Sequence, residues 1–148
     1  MLGKILKATS VATLLGTCLA AHAGDFGTAD EAKAMLQKAT AALKADAAKA
    51  LAMFTKGEGG FKDRDLYPFC GGPDGMFTAH PSLVGKSLKD LKDKSGKGLG
   101  QEIYSAAQEG KVAEVSYMWP RPGTTEPVQK VSFVTKVGDQ VCAVGYYK

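Results

Sequence analysis

Five residues carry most of the chemistry that this sequence offers: His80, Tyr117, Trp119, Arg121 and Lys130. Tyr117 and Trp119 fall in the strand-like run Val115 to Trp119, Lys130 falls in Gln129 to Thr135, and His80 ends Met76 to His80. Aromatic faces with cations among them suit the binding of a small anion. Arginine grips a carboxylate through a planar fork, and lysine adds a point charge. Lys130 is the strongest single candidate, because its neighbours Val128 and Val131 give no reason for a surface lysine. Each residue also has a plainer reading. Tyr117 and Trp119 fit as core aromatics, and Lys130 as an outward-facing strand residue. His80-Pro81 fits as a turn, and Arg121, between Pro120 and Pro122, fits as a solvent-facing turn residue.

Catalytic and metal chemistry find little support. Gly85-Lys86-Ser87 looks like the end of a phosphate-binding loop, but the glycine required five positions before Gly85 is His80. Aligning Gly96 with the central glycine of a calcium loop puts Asp93, Ser95 and Glu102 at ligand positions. Leu91 then occupies the first position, and Lys92, Lys94 and Lys97 crowd the loop with positive charge. The alternating Lys and Asp of Lys86 to Lys97 read better as a solvated loop. No Gly-x-Ser-x-Gly elbow supplies a nucleophile. One histidine and two cysteines beyond the leader cannot assemble a Cys/His zinc site. Asp63 and Asp65 flank Arg64 in what reads as an exposed strand entry. The expectation is a binding protein, with no catalytic residue, metal or cofactor.

The elements that must position these residues are legible. Thr28 and Glu31 have capping-box spacing, and Asp30 and Glu31 fall in the first turn, where the helix dipole favours anions. Ala32, Met35, Leu36, Ala39, Leu43, Ala47, Ala50, Leu51 and Phe54 then recur at helical steps, and Lys56-Gly57 closes the stripe. This predicts one helix of about 27 residues, roughly 40 Å long. Leu66 to Cys70 and Met76 to His80 read as strands joined through Gly71 to Gly75, and Leu99 to Gly110 as a shorter helix. Val115 to Trp119, Gln129 to Thr135 and Gln140 to Tyr147 complete the strands. Long helix, two strands, short helix and three strands define an α+β domain with an antiparallel sheet.

The first residues point to export. Lys4 and Lys7 precede an uncharged run, Ala8 to Ala20, and Ala21-His22-Ala23 has the small-x-small form of a cleavage site. A signal peptide over residues 1–23, and a mature domain over 24–148, are expected. The apolar run is shorter than the roughly 20 residues a membrane span needs, and no longer one follows. Thr17-Cys18 is a poor lipoprotein signal. Losing Lys4 and Lys7 takes the net charge from +4 to +2, too small for a nucleic-acid partner. Periplasmic or secreted location makes Cys70 and Cys142 a natural pair, the alternative being two unpaired buried thiols.

Two segments far apart carry a family resemblance: Gly75 to Asp93, with Ala79-His80-Pro81 and Val84-Gly85-Lys86, and Val115 to Lys136, with Ser116 to Gly123 and Glu126-Pro127 to Lys130. With the closing Val144-Gly145-Tyr146, the chain resembles the soluble single-Cache domains from Ala29 to Tyr147. These are extracytoplasmic small-molecule sensor modules of bacterial chemoreceptors and kinases. A tryptophan often found before the last strand of that family is replaced here by Asp139-Gln140-Val141-Cys142. The resemblance implies a PAS-like fold, a long N-terminal helix packed on a five-stranded antiparallel sheet of order 2-1-5-4-3. It makes the strands bearing Cys70 and Cys142 neighbours, so that a disulfide can join them. It places a ligand between the sheet face carrying Tyr117, Trp119 and Lys130 and the loops around His80. The expected function is a periplasmic sensor or carrier for a small organic acid or related metabolite. The second expectation is a docking module for a membrane kinase, chemoreceptor or transporter on another chain.

Overall fold

The apolar stripe from Ala32 to Phe54 forms two helices, α1 (Ala29–Ala45) and α2 (Ala47–Lys56), in a computed structural model that describes residues 24–148. The expected leader, its cleavage site and Cys18 lie outside the described residues. Thr28 caps α1. Its Oγ1 accepts from the Glu31 N–H at 3.3 Å, while the Glu31 carboxylate accepts from the Thr28 N–H at 2.8 Å.

Asp46 corrects the single long helix. Its backbone is extended (φ −160°, ψ 97°), yet its N–H still donates to Ala42 O at 3.0 Å. Its carboxylate accepts from the Lys49 N–H at 3.0 Å and so caps α2. Aspartate favours such caps because its side chain competes for backbone donors. Ala50 and Phe54 carry the buried stripe past the break, whereas Ala47 is exposed. Gly57, at φ 70°, takes the left-handed conformation that ends α2.

Strands β1 (Pro68–Gly71), β2 (Phe77–Ala79), β3 (Ala113–Pro120), β4 (Pro127–Val137) and β5 (Gln140–Tyr147) form one antiparallel sheet of order β2-β1-β5-β4-β3. Helix α3 (Leu99–Ala106) precedes β3. The α+β class, the helix-on-sheet layering and the strand order all match the expected fold.

Strand alternation divides the core between two faces. Helices α1 and α2 cover Cys70, Phe133, Cys142 and Val144. Helix α3 and residues 81–98 cover Phe69, Phe77, Val115, Tyr117, Val134 and Ala143. On the helix face, Cys70 stands opposite Cys142 with Cα atoms 4.1 Å apart, and the two form a disulfide.

The stretch from Lys86 to Lys97 is not simply a solvated loop. Leu88 is fully buried, and so is most of Asp93. Asp93 Oδ1 accepts from the N–H groups of Ser95 and Lys97 and from Ser95 Oγ, and Oδ2 accepts from the Met118 N–H on β3. Burial alone would raise its pKa, but these hydrogen bonds outweigh it and hold the carboxyl at about 2. Asp93 therefore pins the cover of the second face to the edge strand.

Candidate functional site

Lys130 is the centre of the second face. Its register places it opposite Tyr117 on β3 and Tyr147 on β5. Only 1% of it is exposed, so it does not face outward. Nζ lies 3.1 Å from Tyr67 Oη, and 4.4 and 4.8 Å from the ring centroids of Tyr67 and Tyr147, within cation–π range. Among the described residues, no carboxylate lies within salt-bridge distance of it. Burial pulls its pKa down to about 7, and the charge of Asp65 opposes that pull.

His80 ends the β2 arm and packs among Tyr67, Phe69 and Phe77, with ring centroids 5.1–6.3 Å away. Its Nδ1 accepts from the Ser82 N–H at 3.0 Å, which places the proton of the neutral ring on Nε2. Burial, and then the Lys130 charge, lower its pKa to about 4. At neutral pH it is an uncharged hydrogen-bond donor.

Tyr117 Oη pairs with Ser132 Oγ at 2.8 Å, and its ring meets Trp119 edge-on at 6.4 Å. Burial raises the hydroxyl pKa of Tyr117, and that of Tyr67 to about 12, so both stay protonated.

Tyr67, His80, Tyr117, Trp119 and Lys130 share one chamber, roofed by Leu83, Leu88, Leu91, Leu99 and Ile103. The space open to the centre of a water molecule is about 10 Å³, room for roughly one water. Through Tyr67, His80, Leu83 and Trp119 the chamber adjoins an outer groove of about 450 Å³, whose rim carries Lys56, Lys62, Arg64 and Arg121. Any larger ligand requires the roof near Leu83 to move. Gly85, at φ 81°, gives that loop a turn that only glycine adopts without strain.

Four of the five candidate residues are thus brought together, and Arg121 stands apart. Its Nε lies 3.7 Å from Asp65 Oδ2, and its guanidinium stacks 4.2 Å from Phe26 and 5.1 Å from Tyr147. Asp65 also departs from the reading of an exposed strand entry. It is 5% exposed, and its Oδ1 accepts from the Gly27 N–H at 2.7 Å. Arg64 ties down the same segment before α1, donating to the carbonyls of Gly24 and Phe26 and pairing with Glu31 and Asp63.

Tyr67 and Tyr147, which flank Lys130, were not singled out by sequence. The two-residue step from Tyr67 to Phe69, and the strand-end place of Tyr147, are the signals that point to them.

Helices on a five-stranded antiparallel sheet of order β2-β1-β5-β4-β3 define a PAS-like α+β module. The Cache domain family matches residues 29–146, and the chain belongs to it. Over 59 residues it is 34% identical to the methyl-accepting chemotaxis protein McpP of Pseudomonas putida, a match spanning 40% of this chain. The chain covers only 11% of that relative's length. A solved periplasmic sensor domain of a chemotaxis protein superimposes with a TM-score of 0.60 at 26% identity, over 80% of this chain and 88% of that one. A Cache chemosensory domain, solved to explain carboxylic acid recognition, gives 0.55 at 22% identity over 80% and 86%. That second likeness is one of fold. Among the described residues, no helix is long and apolar enough to cross a membrane.

Proposed function

We propose that this chain is an extracytoplasmic, non-catalytic sensor domain that binds a small organic acid at Lys130. One observation carries the reading: a fully buried lysine lies in an aromatic chamber, and among the described residues no carboxylate is within salt-bridge distance of it. Holding a charge there without a partner would cost several kcal/mol, and an entering carboxylate would offset that cost. Nε2 of His80 and the Tyr67 hydroxyl supply donors beside it. Trp119 and the leucines of the roof suit a short carbon skeleton. The family match and the likeness to a chemotaxis sensor domain argue for binding without turnover. The disulfide, the leader-like first residues and the likeness to a periplasmic sensor domain support location outside the cytoplasm.

Calorimetry of residues 24–148 against small organic acids, amino acids and purines tests the reading. A ligand at 100 times its dissociation constant should stabilise the fold by about 2.7 kcal/mol. Lys130→Met keeps the length and removes the charge, so it should abolish binding while leaving the unliganded melting temperature unchanged or slightly raised. Affinity unaltered by that substitution would move the site out of the chamber.

The one-water volume of the chamber favours a second reading, a docking module for a membrane kinase, chemoreceptor or transporter on another chain. Failure of every ligand class in the screen would leave this reading standing.

A further inference from the structure

We propose that above neutral pH Lys130 acquires its charge together with its ligand, so that an anion entering the chamber is accompanied by about one proton taken up from solvent. The proposal rests on the reading above, in which Lys130 receives an anion, and it states how that recognition works.

The surroundings of Nζ decide its charge. Tyr67 faces it from the segment before β1, Tyr117 from β3 and Tyr147 from β5, and all three hydroxyls remain protonated at neutral pH. His80, at the end of β2, is neutral there and repels a cation no further. Asp65 is the nearby carboxylate whose charge reaches Lys130, but its Oδ1 is committed to the Gly27 N–H and its Oδ2 faces Arg121. The roof is leucine and isoleucine. An ammonium in the closed chamber therefore has aromatic faces and one hydroxyl, and no counter-ion among the described residues. Buried lysines in such settings give up their proton near neutral pH, and burial sets this one at about 7.

A carboxylate beside Nζ reverses the balance, because an opposite charge within hydrogen-bond reach favours the charged form. The step balances simply. A neutral amine, a carboxylate and a solvent proton become an ammonium–carboxylate pair, with no bond to carbon formed or broken. The Tyr67 hydroxyl accommodates both states, since it can donate to a neutral amine and accept from an ammonium. The 3.1 Å contact needs no rearrangement between them. Recognition then depends on pH in one direction. Below pH 7 the amine is already charged and affinity is flat. Above it, apparent affinity falls toward tenfold per pH unit.

Two measurements test this. The first needs no ligand: the 13Cε resonances of the lysines are followed with pH, and the one lost in Lys130→Met identifies Lys130. A midpoint near 7 supports the proposal, and titration above pH 10 with the other lysines overturns it. The second is calorimetry with acetate as the probe, at pH 6 and pH 8, in buffers of different protonation enthalpy. Uptake approaching one proton at pH 8, and close to none at pH 6, is expected. Lys130→Arg, whose guanidinium stays charged, should bind without proton uptake if it binds. Acetate bound equally well at both pH values, with no uptake, overturns proton coupling and leaves the anion site intact. Absence of acetate binding counts against acetate as a ligand of the site, and the lysine titration alone then decides the proposal.

Discussion

Gly145 on β5 lies directly under the side chain of Lys130. A Cβ built there would stand 2.5 Å from Lys130 Cε and would also collide with Ser132 Oγ. The lysine stem runs across this bare backbone to reach Tyr67, so the glycine is the floor of the charged end of the chamber.

Gly145→Ala should therefore displace the lysine rather than break the sheet. The nearest atoms are Ser132 Oγ, paired with Tyr117, and the end of the flexible Lys130 side chain, so a stability cost of about 1–3 kcal/mol is expected, as for other overpacked sites. Organic-acid affinity should fall more than tenfold. Chemical denaturation and calorimetry on the same variant separate the two effects. A variant with full affinity would show that Lys130 does not need its observed path.

His80 should make the fold sensitive to mild acid. Its pKa is about 4 in the folded chain, below the ordinary 6.5, because burial disfavours the imidazolium. Above pH 6.5 the ring is neutral in both states and its contribution is fully present. As pH falls from 6.5 toward 4, only the unfolded chain takes up the proton, so stability is lost across that window, by about 2 kcal/mol. Urea unfolding at pH 7 and pH 4.5 measures the loss. His80→Gln should shrink it, and an unchanged difference would assign the acid sensitivity to other groups.

Reduction of Cys70–Cys142, or replacement of both cysteines by serine, should destabilise the domain. The bond closes a loop with a sequence separation of 72 residues, for which chain entropy gives about 4 kcal/mol. The melting temperature with and without reductant reads the effect. Thiol titration of unfolded, unreduced protein should find neither cysteine reactive.

Asp93→Ala should loosen the cover of the chamber. It removes the acceptor of four hydrogen bonds, one of them to the Met118 N–H of β3. Ser95 and Lys97 are exposed, so water can take over their donors, whereas the Met118 N–H is half-buried; with a donor cut off from water costing about 1–3 kcal/mol, a total loss of about 2 kcal/mol is expected. Hydrogen exchange should quicken in residues 81–98 before it does in the sheet. Uniform destabilisation without that local change would contradict the pinning role.

Much of this architecture is readable from residue pattern because most elements declare themselves locally. The Thr28 cap, the stripe from Ala32 to Phe54 and the Val- and Thr-rich strands follow from spacing alone. The break at Asp46 is hidden because the apolar stripe resumes beyond it, so periodicity cannot distinguish one helix from two. Lys130 stands out because a lysine in an apolar strand is anomalous. Its partners do not, since Tyr67 reaches it from across β5 and depends on sheet order and register. Asp65 is misread for the same reason: its hydrogen-bond partner is Gly27, 38 residues earlier, and its charge partner is Arg121. Long-range pairings of this kind leave no local trace.

The sheet order has a further consequence, for synthesis. Strand β5, the last to emerge, lies between β1 and β4 in the middle of the sheet, and it carries Cys142 and Gly145. A nascent chain that stops before Gln140 has a β1–β2 arm and a β3–β4 hairpin with nothing to join them. Neither half can bury its apolar face alone, and a two-stranded piece is marginal in water. The pairing that completes the domain spans most of its length, a topology associated with slow folding. Folding of this domain therefore waits for β5, and deletion of residues 140–147 should cost the whole domain rather than its edge.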